Sequence, residues 1–210
     1  MIKRKVVVFD FDGTVIPFNS FRIFLIFLLI SLVVKLDIKS LFHLFTSVKL
    51  KFLKKITHLE FKVRVIAVGE QLTNGSLMLF CDFLRMTSRP KILHEMMYYK
   101  NNESYIVALC TAAPFLYMKH FSSSLGIDVL VAYGDPNLPW QQGVDNTGQT
   151  KLSQLSRILG LEIATLDAMF SDHLDDLPLL QIAKRAVLVS PKKNMKKKLR
   201  DLLPNSELIH

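Results

Sequence analysis

The chain has 210 residues, half of them hydrophobic, and a formal net charge of +9 at pH 7. This length fits one domain, or a core domain with a modest insertion, and the apolar content can bury a substantial core. Cys81 and Cys110 lie in apolar surroundings, so we expect small core residues in a reducing, cytoplasmic setting rather than a disulfide. The basic N-terminus is followed by too short an apolar run for a signal peptide.

The first predicted element is a short buried strand over residues 6–9, which ends in the carboxylates Asp10 and Asp12. Gly13 and Thr14 follow directly. Open α/β sheets bind ligands at the carboxyl ends of their strands. Two neighbouring carboxylates repel each other there, and a divalent cation would relieve the repulsion. The pattern therefore favours a chemical role over a structural one.

About a hundred residues separate this motif from the next polar strand end, far more than one crossover helix needs. Apolar residues at helical spacing predict helices over residues 19–34, 38–56, 58–72, 75–86 and 90–100. We therefore predict a helical cap over residues 18–97, inserted into a core that comprises residues 1–17 and 98–210.

The apolar segment Ile23–Val34 is twelve residues long and covers about 18 Å as a helix, which is short of the ~30 Å hydrocarbon core of a bilayer. Nearly all of its faces are apolar, which is unusual for a small cap. Two interpretations stay open: it is the central helix of a cap bundle, or the cap lies on a membrane interface.

The remaining chain alternates strands and helices, which indicates a doubly wound parallel sheet with a Rossmann-like α/β fold. The predicted strands cover residues 105–110, 127–132, 167–171 and 186–189, and the predicted helices cover 114–124, 150–159, 176–184 and 192–203. A Gly/Pro/Asn-rich stretch over residues 134–148, which includes Trp140, is interpreted as a loop or short hairpin near the site.

Three further polar features follow in chain order. Thr111 ends the second apolar strand, Lys151 begins a helical pattern, and Asp172 and Asp176 lie in an acidic loop after another strand. Together with Asp10-Phe11-Asp12-Gly13-Thr14, these features resemble the motifs of the haloacid dehalogenase-like (HAD) phosphohydrolases.

The resemblance implies hydrolysis of a phosphate monoester through an aspartyl-phosphate, with Mg²⁺ as the metal. It makes Asp10 the nucleophile and a metal ligand. Asp12 would be the general acid and base, and its main-chain carbonyl would complete the metal site. Asp172 would be a direct metal ligand. Hard oxygen ligands, and the lack of a Cys/His cluster in the sequence, also favour Mg²⁺ over zinc.

The same resemblance assigns the phosphate-binding residues. Thr111, the backbone near Ala112 and the cation Lys151 would hold the phosphoryl oxygens. Asp176 would support the metal's waters or orient Lys151. Asp175 would share that role or simply begin the helix.

Within the family, the layout resembles the phosphoserine-phosphatase-like branch. Asn19 stands where that branch usually carries a substrate-binding Glu, and Thr111-Ala112-Ala113 replaces its Ser-Gly-Gly. Arg64 is a candidate match for its carboxylate-binding cap arginine. We therefore treat Asn19, Arg64 and His173 as candidate substrate contacts, although His173 could also simply cap the acidic loop.

The hydrophobic, lysine-rich cap also resembles that of HAD-type phosphatidylglycerophosphatases. A lipid-phosphate phosphatase acting at the membrane surface is therefore an alternative to hydrolysis of a small phosphorylated substrate. A phosphotransferase and a non-catalytic binding protein with the same fold are further alternatives, although all the core acids are present.

Basic residues concentrate in residues 35–64 and in the tail over residues 192–200. One interpretation is two solvated helix faces. The other is attraction to an anionic substrate or to an anionic membrane, with the protein peripheral at its inner face. The aromatic residues lie in apolar runs instead of alternating with basic ones, so we expect no nucleic acid partner.

Overall fold

The computed structural model describes residues 4–138, 144–160 and 163–210. Six parallel strands form one sheet in the order β3-β2-β1-β4-β5-β6. The strands are β1 (Lys5–Phe9), β2 (Tyr105–Pro114), β3 (Val129–Tyr133), β4 (Leu166–Ser171), β5 (Ala183–Val189) and β6 (Glu207–Ile209). The predicted α/β fold with a parallel sheet is confirmed.

Nine helices of the described ranges surround the sheet. They are α1 (Ser20–Val34), α2 (Ile38–Phe52), α3 (His58–Gly69), α4 (Asn74–Met86), α5 (Pro90–Lys100), α6 (Phe115–Ser124), α7 (Gln149–Leu159), α8 (Leu177–Gln181) and α9 (Lys193–Leu202). No helix in the described part of the chain combines the length and the apolar composition needed to cross a bilayer.

The central position of β1 follows from its apolar residues on both faces. Val7 and Phe9 point into one hydrophobic cluster, and Val6 and Val8 point into another, as the alternation of a strand requires. The Phe9 ring stacks on Phe170 of β4 with 4.4 Å between the ring centroids. Burial on both faces fixes the carboxyl end of β1, and Asp10 is the next residue.

The four helices α1–α4 lie in the chain between β1 and β2 and share the first hydrophobic cluster with the sheet. Phe24 of α1 packs against Phe80 of α4 and Tyr117 of α6, with centroid distances of 5.3 and 5.0 Å. The next helix, α5, contacts β2. The predicted cap boundary at residue 97 lies inside α5 and stays a prediction.

One local prediction was wrong, and one strand was missed. The helix predicted over residues 176–184 is a short 3-10 turn over residues 174–176 followed by α8, and β5 already begins at Ala183. The apolar run into β5 pairs with β4 instead of continuing the helix. The strand β6 was not predicted, because its three residues become a strand only through pairing with β5. Trp140 lies outside the described residues.

We expect Leu84→Ala to lower the free energy of unfolding by about 2–5 kcal/mol, because Leu84 is fully buried in the cluster under α4 and its loss leaves a cavity. Urea unfolding followed by circular dichroism measures the change. Leu79→Ala on the exposed side of the same helix is the matched control. Equal effects of the two substitutions would contradict this packing.

Candidate active site

The carboxyl ends of the central strands open into a cavity of about 640 Å³. Ten of the eleven residues that the sequence predicts for the site line it: Asp10, Asp12, Asn19, Thr111, Ala112, Lys151, Asp172, His173, Asp175 and Asp176. They meet because parallel strands align their carboxyl ends at one edge of the sheet.

Lys151 is buried between two carboxylates. Its Nζ lies 2.6 Å from Asp10 Oδ1 and 2.7 Å from Asp176 Oδ1. Asp10 follows β1, Asp176 ends the turn after β4, and Lys151 lies in the first turn of α7. Because a buried charge is costly without a partner, these three groups hold the three elements in register.

Burial and charge shift the protonation equilibria of this group in opposite directions. Burial raises the pKa of Asp10, and the adjacent Lys151 ammonium opposes that rise. For Lys151, burial alone would lower the pKa, but the carboxylates of Asp10 and Asp176 raise it above its usual value. Lys151 therefore stays charged over the pH range in which proteins are folded. Its charge neutralises part of the charge of Asp10.

Asp12 lies at the junction between the site and the inserted helices. Its Oδ1 accepts a hydrogen bond of 2.8 Å from the backbone N–H of Ser20, the first residue of α1. Burial raises the pKa of Asp12 to about 6, although the bond from Ser20 lowers it. This carboxyl can therefore hold a proton close to neutral pH, as a general acid must.

Asp10 and Asp172 converge beside Gly13. The Thr14 hydroxyl lies 3.4 Å from both an oxygen of Asp10 and an oxygen of Asp172. Gly13 has a φ of +87°, and a β-carbon there would clash with the Asp172 carboxylate. Glycine is therefore required both by the backbone conformation and by the close approach of Asp172.

This donor set fits a hard divalent cation. Burial raises the pKa of Asp172, and the charge of Asp172 contributes to raising the pKa of Asp10. A divalent cation would remove this cost. Within the described ranges, no three His, Cys, Asp or Glu side chains are placed to hold a metal together. The Oδ1 atom of Asp12 is engaged by the Ser20 N–H.

Thr111 lies within β2, which runs on to Pro114 with an irregular register, and not at the end of the strand as predicted. Its hydroxyl oxygen accepts a hydrogen bond of 2.9 Å from the N–H of Ala113. This contact leaves the hydroxyl hydrogen available to donate into the cavity. The buried Asn146 donates to the Thr111 carbonyl at 2.7 Å and ties the segment before α7 to this strand.

The acidic loop after β4 is ordered by its own side chains. The Ser171 hydroxyl donates to Asp176 Oδ2 at 2.6 Å and accepts from the N–H of His173. The Nδ1 atom of His173 accepts from the N–H of Asp175 at 3.2 Å. His173 therefore caps the turn and also lines the cavity.

Comparison with known proteins identifies the family. The family model for haloacid dehalogenase-like hydrolases matches residues 7–181, which is most of the chain. The chain belongs to this family. No curated protein gives a significant sequence match.

Solved structures support the fold. A protein of unknown function from Bordetella pertussis Tohama I has a TM-score of 0.73 at 15% identity, over 99% of both chains. A HAD family hydrolase from Salmonella enterica serovar Typhi has a TM-score of 0.58 at 15% identity, over 97% of this chain and 66% of its own. A phosphoserine phosphohydrolase-like protein from Francisella tularensis has a TM-score of 0.51 at 17% identity, over 98% and 94%. At these identities the likeness concerns the fold.

The structure corrects one predicted contact of this HAD hydrolase and adds three. Arg64 lies on the exposed side of α3, opposite the buried Phe61, Val65 and Val68, and does not line the cavity. Three cations that sequence reasoning missed do line it: Arg22, Arg89 and Lys192. Arg89 Nη2 lies 3.5 Å from the Gly13 carbonyl. No motif marks them, because they come from three separate elements in a chain with 27 Lys and Arg residues.

We expect Lys151→Met to lower the free energy of unfolding by about 3–5 kcal/mol, because it leaves two buried carboxylates without a counter-charge. Adding Asp10→Asn removes one of these carboxylates and should recover part of the loss. Chemical denaturation of the single and double variants measures this coupling. Strictly additive losses would contradict the buried triad.

Proposed function

We propose that this hydrolase is a Mg²⁺-dependent phosphomonoesterase that works through an aspartyl-phosphate on Asp10. The observation that carries the proposal is the placement of Asp10. It is buried against a permanently charged lysine, beside an aspartate that can hold a proton near neutral pH, and both face one cavity. A carboxylate nucleophile divides one slow displacement into two easier steps.

In the first step, a carboxylate oxygen of Asp10 attacks phosphorus, and the bond from phosphorus to the ester oxygen breaks. The protonated Asp12 carboxyl gives its proton to that oxygen, so the alcohol leaves neutral. The Ser20 N–H then stabilises the carboxylate that remains on Asp12. The products are the alcohol and a phosphorylated Asp10.

In the second step, the Asp12 carboxylate takes a proton from water, and the resulting hydroxide attacks phosphorus. The bond between phosphorus and Asp10 breaks and inorganic phosphate is released. Asp12 is protonated again and Asp10 is again a free carboxylate. The net reaction is a phosphate monoester plus water to an alcohol plus phosphate.

The groups around Asp10 would hold the phosphoryl oxygens. Lys151 supplies a fixed positive charge and Thr111 supplies its hydroxyl hydrogen. Mg²⁺ bound by Asp10, Asp172 and the Asp12 carbonyl would neutralise the charge of the phosphoryl group and of the nucleophile. Asp176 acts on Lys151 and is a positioning residue.

The cations that line the cavity favour a substrate with anionic character beyond the transferred phosphate. Arg22, Arg89 and Lys192 line it together with the apolar Phe18 and Ile23. The wall thus combines positive charge with apolar surface. Asn19 also lines the cavity, and its side chain accepts the N–H of Arg22 at the start of α1.

We expect Asp10→Asn to lower turnover of p-nitrophenyl phosphate with Mg²⁺ by about four orders of magnitude or more, because the amide is a poor nucleophile. Phosphate release measures the rate. Mass spectrometry after rapid acid quenching should show a phosphoryl group on the wild-type protein and none on the variant. Asp82→Asn on the exposed side of α4 is the control. Comparable activity of Asp10→Asn would reject the nucleophile.

We expect the loss of activity in Asp12→Asn to depend on the leaving group of the substrate. Turnover of an alkyl phosphate needs a proton on its leaving oxygen and should fall by about 10²–10⁴-fold. Formation of the aspartyl-phosphate from p-nitrophenyl phosphate should fall far less, because nitrophenolate leaves without one. Burst kinetics of nitrophenolate release measure this first step. An equal loss for both substrates in the first step would contradict the general-acid role.

A further inference from the structure

The first helix of the insertion is apolar on both of its faces. One face is buried and consists of Phe21, Phe24, Leu28 and Leu32. The opposite face carries Ile26, Ile30, Val33 and Val34, each more than half exposed. These four residues follow the spacing that places side chains on one side of a helix. The sequence left open whether this helix is the centre of a cap bundle or lies on a membrane interface. In the structure one face of the helix is buried and the opposite face is exposed.

The second helix continues the exposed apolar surface. Ile38, Phe42, Phe45 and Phe52 of α2 are each more than half exposed, on the side away from the buried Leu44. Leu36, in the turn between the helices, is 80% exposed. We call the exposed apolar residues of this helical hairpin the hairpin face: Ile26, Ile30, Val33, Val34, Leu36, Ile38, Phe42, Phe45 and Phe52. The two rows meet at the turn, so the surface is continuous there.

Positive charge surrounds the hairpin face. Six lysines lie between residues 26 and 55, against the single acidic residue Asp37: Lys35, Lys39, Lys49, Lys51, Lys54 and Lys55. None of the six forms an ion pair with a residue in the described ranges. Asp37 is engaged as the N-cap of α2, where it accepts the N–H of Ser40.

We propose that the hairpin face docks on the surface of an anionic lipid bilayer. Large exposed apolar patches mark interaction sites, and a bilayer interface accepts an exposed apolar helix face without a matching groove. Lysine stems can lie along the apolar surface while their ammonium groups reach lipid phosphates. A second copy of the chain would bring the same six lysines against their equivalents, so charge disfavours self-association.

The hairpin face begins at the mouth of the active-site cavity. Arg22 and Ile23, in the first turn of α1, line the cavity. Ile26 and Ile30 follow Arg22 at intervals of four residues on the same side of the helix. A docked hairpin would therefore hold the cavity mouth near the lipid headgroups. This consequence rests on the proposed function, and it makes lipid phosphomonoesters the substrate class; docking itself is independent of catalysis.

Cosedimentation of the full chain with vesicles tests the docking. We expect the affinity for vesicles of phosphatidylcholine and phosphatidylglycerol in equal parts to be at least about tenfold higher than that for phosphatidylcholine alone, and to fall with added salt. Asp10→Asn should bind as the wild type does, which separates docking from the proposed chemistry. No binding to the anionic vesicles would overturn the proposal.

An apolar triple variant tests the contribution of the hairpin face. Leu36→Asn, Ile38→Ser and Phe42→Ser remove three exposed apolar side chains, and Asn suits the positive φ of residue 36. We expect this variant to lose at least about tenfold in vesicle affinity with unchanged circular dichroism. Wild-type affinity in this variant would overturn the proposal. A second outcome would also overturn it. In that outcome the wild type forms a concentration-dependent oligomer in sedimentation velocity, the triple variant does not form it, and the wild type does not bind vesicles.

A charge triple variant tests the lysines separately. Lys35→Gln, Lys39→Gln and Lys49→Gln should lower the affinity for the anionic vesicles by at least about tenfold and leave the weak binding to phosphatidylcholine unchanged. The matched control carries Gln at three exposed lysines of α9: Lys193, Lys197 and Lys198. Equal losses in both triple variants would overturn the proposal in favour of nonspecific charge attraction.

Hydrolysis tests the substrate consequence. Phosphatidic acid in vesicles and glycerol phosphate in water carry the same phosphomonoester with and without acyl chains. We expect the vesicle substrate to be preferred by the wild type, and the preference to be lost in the apolar triple variant while turnover of the soluble substrate persists. If the enzyme binds the vesicles but hydrolyses both substrates at equal rates, lipid phosphomonoesters are rejected as the substrate class. If the enzyme binds the vesicles but hydrolyses no phosphomonoester, the proposed function is rejected and the docking is retained.

Discussion

The buried ion triad of Lys151 with Asp10 and Asp176 is the interaction on which the rest of the site depends. An ammonium group and two carboxylates away from water are tolerated only as a set. Each belongs to a different element, so α7, β1 and the loop after β4 must meet. Ser171 holds Asp176, and Asn146 ties the approach to α7 onto β2. This buried charge distribution is thus also the constraint that assembles this edge of the sheet.

The inserted helices contact the residues of the site and the core through polar contacts as well as through apolar packing. Ser20 donates its N–H to Asp12, and its hydroxyl lies 2.8 Å from the Tyr117 hydroxyl of α6. Lys62 of α3 pairs with Asp145 at 2.8 Å, in the segment before α7. The bond from the Ser20 N–H lowers the pKa of Asp12, against the larger effect of burial. The insertion therefore supplies a hydrogen-bond partner of the proposed acid.

The helix α1 contributes to the cavity, to the core and to the exposed surface. The first turn of α1 lines the cavity, its inner face packs on the core, and its outer face belongs to the hairpin face. Two differences from the pattern of the phosphoserine phosphatases lie at this cavity: Asn19, which caps α1, and Thr111-Ala112-Ala113 in β2. The helix α1 therefore links the proposed membrane contact to the cavity, because its first turn supplies Arg22 and Ile23 to the cavity lining.

The sequence predicted the parallel sheet and, through its resemblance to the HAD family, ten of the residues that line the cavity. These predictions succeed because apolar runs ending in polar residues are local signals, and because parallel strands bring their carboxyl ends to one edge. It did not predict β6, which needs β5 as a partner, nor Arg22, Arg89 and Lys192, which no local pattern distinguishes from other basic residues. Only the tertiary structure decided which face of α1 is covered. A helix that is apolar on all sides carries no periodic signal for its buried face, and that face is chosen by packing against α4 and α6.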